Sequence, residues 1–327
     1  MKKVSLIIPC YNVKAYRLDR MMNSILHQKY APLEIILVDD GSLDDTYERI
    51  STLAQKFRRL GYSSYAFTKM HGGCASAINV GLQRCKGDYI CFPDADDQLL
   101  VGYISKMARF LDENREYGWV RCNAEEVNDN CVNGYYTLVN TQYSQKGRHF
   151  ERLLAYQIPH VVWPIMIRKE YLEQCIPLLN LHENDGSQEW QLILPLAFYG
   201  DSGYINEPLY RYIIYADSFY HSHKSDPVKL KKYFELHTEN KIATLKTLPL
   251  NNEEYSYAID LMILGEVKQY RRYNINSFPQ STNEKLFNLC YKYLNDYAND
   301  FSISDLNNQQ WFEYSVQSLE KVWTLLD

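Results

Sequence analysis

Residues 34–42 read "EIILVDDGS". Ile35, Ile36, Leu37 and Val38 make an unbroken apolar run that stops at two carboxylates and a turn-forming Gly41–Ser42 pair. A strand with one solvated face alternates apolar and polar residues, whereas a strand buried on both faces does not. The stretch is therefore a buried strand ending at Asp39 and Asp40. Upstream, "VSLIIP" (Val4–Pro9) has the same character. Between the two, Leu18, Met22 and Ile25 recur at spacings of four and three, which is one face of a helix. Strand, helix and strand make a βαβ unit with parallel strands and a right-handed crossover.

The pattern repeats. "SSYAFTK" predicts a strand, "CASAINVGLQRC" a helix with small residues on one face, and "GDYICFPD" the next strand. "LVGYISKMARFLDEN" predicts a further helix and "GWVRCNAEEV" a further strand. Such alternation predicts an α/β fold with a mostly parallel central sheet and helices on both faces. Ligands of such sheets sit beyond the carboxyl ends of the strands. Tyr11–Asn12, Asp39–Asp40 and Asp94–Asp97 all fall at such ends, which predicts one active cleft. From Cys131 to Phe219 the pattern is mixed. From Pro227 it is helical and polar, with "KLKKYFELHTENKIATLK" and "EYSYAIDLMILGEVKQYRRY" as the clearest segments, and Gly265 is the only glycine after Gly203. The expected division is a catalytic domain over 1–225 and a helical C-terminal module over 226–327.

Composition narrows the function. The chain has 327 residues, 46% hydrophobic and 23% charged, which fits one large or two smaller folded domains. A net charge of −5 provides no basic field for nucleic acid. No run of eighteen apolar residues occurs, so no membrane span is expected. The N-terminal apolar stretch is short and lacks a small-residue cleavage site, so a cytoplasmic location is expected. Eight scattered cysteines without a CxxC pair suit reduced, buried thiols.

No GxGxxG follows the first strand and no GxxxxGK[ST] occurs, which removes dinucleotide and P-loop phosphate binding. "DADD" (Asp94–Asp97) concentrates three carboxylates. If the segment stays extended, Asp94 and Asp96 point the same way. Mg²⁺ and Mn²⁺ favour carboxylate oxygens and share coordination with substrate phosphates. Taken alone, the cluster is either such a site or an acidic turn capping the helix near Leu99.

Together, "VSLIIPCYN", "EIILVDDGSLDDT", "GGCASAINVGL" and "GDYICFPDADD" resemble successive motifs of the family 2 glycosyltransferases, which have the GT-A fold. A fainter likeness continues through "GSQEWQLILPLAFYG" and "EPLYRYIIYADS". The resemblance implies a transferase that takes a sugar from a nucleotide donor and inverts the anomeric configuration. It implies that Pro9, Tyr11 and Asn12 begin the nucleotide pocket, with Tyr11 stacking on uracil. Asp40 would hydrogen-bond the base, which favours UDP-sugars, while Asp39 and Ser42 shape the turn. Asn79 lies in a helix motif of the donor site. Asp94 and Asp96 match the DxD motif, Asp96 as direct ligand of Mn²⁺ or Mg²⁺ and Asp94 reaching ribose, sugar or metal. Asp97 would contact the metal or the sugar.

A concerted displacement needs a carboxylate base on the sugar face opposite the leaving group. Relatives carry an acidic pair before an aromatic residue, and Gln188–Glu189–Trp190 occupies those positions here. Glu189 is the expected base and Asp185 the reserve, and a purely packing helix is the alternative. Two departures stand out. Ile78 replaces an expected arginine, and Ile213 and Tyr215 replace an Arg and a His before Ser218. His221 and His223 lie nearby to supply a diphosphate or metal contact. The expected partners are a UDP-sugar and a glycan or lipid-linked glycan acceptor, with peripheral contact at the inner membrane face. The module 226–327 is expected to serve assembly, as a homo-oligomer contact, or acceptor positioning. A catalytically silent UDP-sugar or glycan-binding protein and a sugar nucleotidyltransferase are the alternatives. The latter would carry a Gly-rich loop that "PCYNVKAY" lacks.

Overall fold

The computed structural model describes residues 1–129, 137–138, 147–183, 188–217, 226–272, 284–286 and 288. They form two compact units, one of 1–149 with 160–218 and one of 150–159 with the described residues from 226 onward.

In the first unit, β1 (Val4–Cys10), β2 (Leu33–Asp39), β3 (Ser63–Thr68) and β4 (Tyr89–Cys91) run parallel in the order β3-β2-β1-β4. They are joined through α1 (Ala15–Leu26), α2 (Thr46–Arg59) and α3 (Cys74–Leu82). Every residue of β2 is buried, as its unbroken apolar run requires. Glu34, just before that run, accepts hydrogen bonds from Ser5 Oγ at 2.6 Å and Lys86 N at 2.7 Å, and pairs with Lys3 at 3.3 Å. On α1 the apolar stripe Leu18, Met21, Met22 and Ile25 is buried against the sheet. Each such side chain stabilises the fold by about 1.5–3 kcal/mol.

The far half of the sheet is mixed. β8 (Ile165–Arg168) runs antiparallel to both β4 and β6 (Trp119–Asn128). β9 (Gly203–Ile214) runs parallel to β6, and the short β5 (Gln98–Leu99) antiparallel to β9. β7 (Thr137–Leu138) pairs with β6. The order is β3-β2-β1-β4-β8-β6-β9-β5. α4 (Tyr103–Glu113), α5 (His149–Leu154), α6 (Lys169–Cys175) and α7 (Gln188–Tyr199) complete the described helices up to residue 217. The six described cysteines are all free thiols, and five of them are buried.

The second unit contains the helices Pro227–Leu245 and Asn252–Arg272, which pack against each other. Asp226 caps the first, accepting from the N–H groups of Val228 and Lys229. Leu230, Phe234, His237 and Lys241 share one face and are all buried, Lys241 completely. Its ammonium meets Glu266 Oε1 at 2.8 Å and the Tyr156 hydroxyl at 3.1 Å. Gly265 is needed where it stands. A Cβ there would lie 2.4 Å from the Leu154 carbonyl oxygen. Among the described residues no helix is long and apolar enough to cross a membrane.

Candidate active site

β1, β2 and β4 are parallel neighbours, so their carboxyl ends lie side by side. Beyond β1, Asn12 adopts a left-handed backbone with φ of 47°. Its N–H donates to Ser42 Oγ at 2.9 Å, and its side-chain oxygen accepts from Leu43 N at 2.9 Å. The loop after β1 is thus fastened to the turn after β2. Asp39 holds that turn from within, accepting from Ser42 N at 3.2 Å and from the Thr68 hydroxyl at 2.8 Å. Gly41 sits at φ of +72°, and a Cβ there would come within 2.6 Å of His71 N. Only glycine meets both demands. Pro9 belongs to β1, paired with Val38.

Asp40 is buried and surrounded by donors. Lys69 Nζ lies at 3.0 Å, His71 Nδ1 at 2.8 Å, Gly72 N at 3.1 Å and Gly73 N at 2.8 Å. The Tyr11 ring, 43% exposed, is stacked on His71 with centroids 4.5 Å apart and planes 23° apart. A base cannot enter a gap of that width, so one face of Tyr11 is covered by His71. The Lys69–Gly73 loop therefore closes over both groups that the sequence assigns to the nucleotide base.

The acidic turn divides its carboxylates. Asp97 is buried, with Oδ2 accepting from the Tyr210 hydroxyl at 2.9 Å and Oδ1 from Ile213 N at 2.9 Å. Burial, then the charges of Asp94 and Asp96, push it well above the usual carboxylate range. Both oxygens are engaged by β9, so Asp97 anchors the turn. Asp94 donates its backbone N–H to the Tyr210 hydroxyl at 3.1 Å. Among the described residues nothing donates to its carboxylate. Burial, then Asp96 and Glu189, hold Asp94 well above the ordinary range. Asp96 is also raised by burial, opposed by its own backbone N–H and by the charge of Arg17.

A pair of part-exposed carboxylates, both raised by burial and Asp94 also by the charge of Asp96, fits a divalent cation, which would relieve both effects. Among the described residues no three His, Cys, Asp or Glu side chains gather into a metal cage. The pair suits an ion that shares its coordination with phosphate oxygens, as Mg²⁺ commonly does.

Glu189 lies in the first turn of α7, and its charge acts on Asp94, Cys74 and Tyr212. The expected base and the DxD pair are therefore brought together. Its Oε2 lies 3.9 Å from His160 Nε2, and the His160 ring stacks on Trp190 at 4.2 Å. Asn79 takes another place. Its amide accepts from Leu181 N at 2.7 Å and donates to Leu181 O at 2.8 Å, so it braces the approach to α7. Gln191 grips His182 in the same two-sided way, at 2.6 and 3.0 Å. Asp185, His221 and His223 lie outside the described residues.

Several groups escaped sequence reasoning. Lys69 and His71 carry no motif beyond their loop. Cys74 opens α3 among carboxylates, and burial followed by Asp94, Glu189 and Asp40 keeps its thiol protonated. Tyr210 fixes the acidic turn from β9, 113 positions away. Trp190 was legible as packing, but its stack on His160 was not.

Comparison with known proteins agrees with this geometry. The family model described as "Glycosyl transferase family 2" matches residues 5–176, just over half of the chain. An uncharacterised glycosyltransferase of Haemophilus influenzae is 38% identical over 114 residues, covering 35% of this chain and 44% of the relative. The glycosyltransferase GlyA of Streptococcus pneumoniae is 31% identical over 111 residues, covering 34% of this chain and 15% of the relative. The chain thus spans less than half the length of these curated relatives. Among solved structures, S. aureus TarS 1-349 in complex with UDP-GlcNAc superposes with a TM-score of 0.64 at 16% identity, covering 97% of this chain and 92% of that one. That likeness carries the fold.

Proposed function

Because this chain belongs to glycosyl transferase family 2, we propose that it transfers a sugar from a UDP-sugar to a hydroxyl of a glycan acceptor, inverting the anomeric carbon. One observation carries this: the ends of β1, β2 and β4 gather Tyr11, Asp40, Asp94 and Asp96, with Glu189 close enough to act on Asp94. The TarS neighbour, solved with UDP-GlcNAc, supports a uridine donor.

In this proposal uracil rests on Tyr11, and Asp40 receives the base once His71 has moved aside. Asp96, with Asp94, would hold Mn²⁺ or Mg²⁺ against the diphosphate. Such an ion neutralises the charge that grows on the leaving group. Glu189 accepts the proton of the acceptor hydroxyl as its oxygen bonds to the anomeric carbon. The bond from that carbon to the β-phosphate oxygen breaks, and its electron pair leaves with UDP. Asp97 and Asn79 hold the acidic turn and the α7 approach. His160, stacked on Trp190, orients the base. The acceptor proposed is a growing or lipid-linked glycan at the cytoplasmic membrane face. For residues 226–327 we propose assembly or acceptor positioning.

A second interpretation, a silent UDP-sugar-binding module, is favoured by the loop that covers Tyr11 and saturates Asp40. The test is UDP release and product formation from a panel of UDP-sugars with Mn²⁺ and a glycan acceptor. Transfer from one donor, reduced about 10²–10⁴-fold in Glu189→Gln with UDP affinity kept, supports the enzyme. UDP binding without turnover supports the silent module, and absence of UDP binding refutes both.

A further inference from the structure

A set of charged side chains borders the acidic turn and takes no part in the steps above. α1 begins just beyond the end of β1, so its first turn stands at the same edge as the carboxylates. Arg17, in that turn, is only 9% exposed. Its guanidinium lies 3.6 Å over the ring of Tyr215, its Nε donates to the Tyr16 hydroxyl at 3.1 Å, and its Nη2 meets Asp217. Tyr215 is buried and donates its hydroxyl to the Asp96 carbonyl at 2.7 Å. One tyrosine therefore carries the guanidinium on its face and the metal-side backbone on its hydroxyl.

The carboxylate partner is the odd feature. A buried guanidinium is costly unless its partner is desolvated with it and well fixed. Asp217 is instead 48% exposed and is shared with Lys14, whose Nζ lies at 2.6 Å. An ion pair with so exposed a carboxylate is screened by solvent. It is easily exchanged for a stronger anion. Arg20, by contrast, is tied to Asp129 at 3.0 Å and donates to the Tyr215 hydroxyl at 3.0 Å, so it braces the tyrosine. Among the described residues the Arg17 guanidinium donates to Tyr16 and Asp217 and keeps further N–H groups, and its planar fork matches two oxygens of a diphosphate.

We propose that Arg17 binds the diphosphate of the donor, and that Asp217 holds its guanidinium in place when no diphosphate is bound. The proposal rests on the donor being a UDP-sugar. On binding, the guanidinium leaves the exposed Asp217 carboxylate for phosphate oxygens while staying on the Tyr215 face. Lys14 keeps Asp217 paired.

The test is calorimetric titration of the full chain with UDP and with uridine, at low salt, with and without Mn²⁺. Arg17→Gln should weaken UDP at least tenfold in both conditions and leave uridine unchanged. Arg17→Lys, which keeps the charge without the planar fork, should fall between. Asp217→Asn should tighten UDP, since it removes the competitor, whereas an arginine that only pins the end of β9 would predict loss. The idea is overturned if Arg17→Gln leaves UDP affinity intact, if it weakens UDP and uridine alike, or if Asp217→Asn weakens UDP. Should Arg17→Gln fail to fold, Asp217→Asn and Arg17→Lys decide. A native chain that binds uridine and UDP equally refutes this proposal alone. One that binds neither refutes the uridine-donor assignment beneath it.

Discussion

Asp94→Asn should stabilise the protein at neutral pH while abolishing transfer. The change is nearly isosteric and removes one charge from a turn where Asp94, Asp96 and Glu189 oppose one another. No described donor loses a partner, because the contact made by Asp94 with Tyr210 is through its backbone N–H. The sign follows from linkage. The folded-state pKa of Asp94 lies above its unfolded value, so the folded state binds the proton more tightly. Stability from this group is full below the unfolded pKa, about 3.9, and is lost as pH rises through the raised folded value. The native chain carries that cost at pH 7 and the variant does not. Relief of such active-site strain is commonly about 0.5–2 kcal/mol, and partial exposure of the carboxylate favours the lower half. In a unit of this size that is about 1–8 °C in Tm. Thermal and urea denaturation from pH 4 to 8, free of divalent ions, should show a gap that opens as pH rises. Adding Mn²⁺ at a hundred times its Kd should then stabilise the native chain by about 2.7 kcal/mol and the variant by much less. A variant that is less stable at pH 7, or a gap independent of pH, would refute the electrostatic account.

Three other outcomes are expected. His71→Ala uncovers one face of Tyr11 and removes one of the several groups around Asp40, so UDP affinity measured by titration should rise roughly two- to tenfold, the equivalent of losing a competing stack worth about 0.5–1.5 kcal/mol; a fall would make His71 part of the nucleotide site. Tyr210→Phe leaves a buried Asp97 oxygen and the Asp94 N–H without their partner, so urea denaturation should show a loss of roughly 2–5 kcal/mol, and a loss under 1 kcal/mol would count against the anchor. In the second unit, burial lowers the pKa of Lys241 against the pull of Glu266. Glu266→Gln removes the carboxylate that faces this cation and should destabilise the unit by about 3–5 kcal/mol, read by hydrogen exchange in Pro227–Leu245; unchanged protection would mean the pair is dispensable.

Much of the first half of the fold was legible because its strands are buried on both faces. β1 and β2 read as apolar, β-branched runs, and α1 and α4 as stripes, since local burial writes local periodicity. β5 and β8 were not legible. β5 is two residues long and is a strand only because Arg211 and Tyr210 pair with it. β8 is four residues long in a stretch with no clear period. β9 hides in "GYINEPLYRYII", whose Pro208 sits beside a register shift against β6. Non-local pairing made these strands, and no window of sequence contains both partners.

The same distinction sorts the site. Residues at the ends of parallel strands were legible because topology alone brings those ends together. Which of them face a ligand was not, because that depends on who donates to each carboxylate. Asp39 takes donors from Ser42 and Thr68, Asp40 from the Lys69–Gly73 loop, and Asp97 from Tyr210 and Ile213. Asp96 receives only its own backbone N–H among the described residues, and the Asp94 carboxylate receives none. These two are part-exposed and receive no external donor among the described residues, which is why we propose them as the pair that would hold a cation. Asp96 and Asp97 are adjacent letters in a turn, with Asp97 N donating to the Asp94 carbonyl at 3.4 Å. Tyr210, 113 positions beyond Asp97, donates its hydroxyl to the Asp97 carboxylate. A four-letter acidic motif announces that negative charge will gather. Its partners across the sheet decide which carboxylates are structural and which remain open to chemistry.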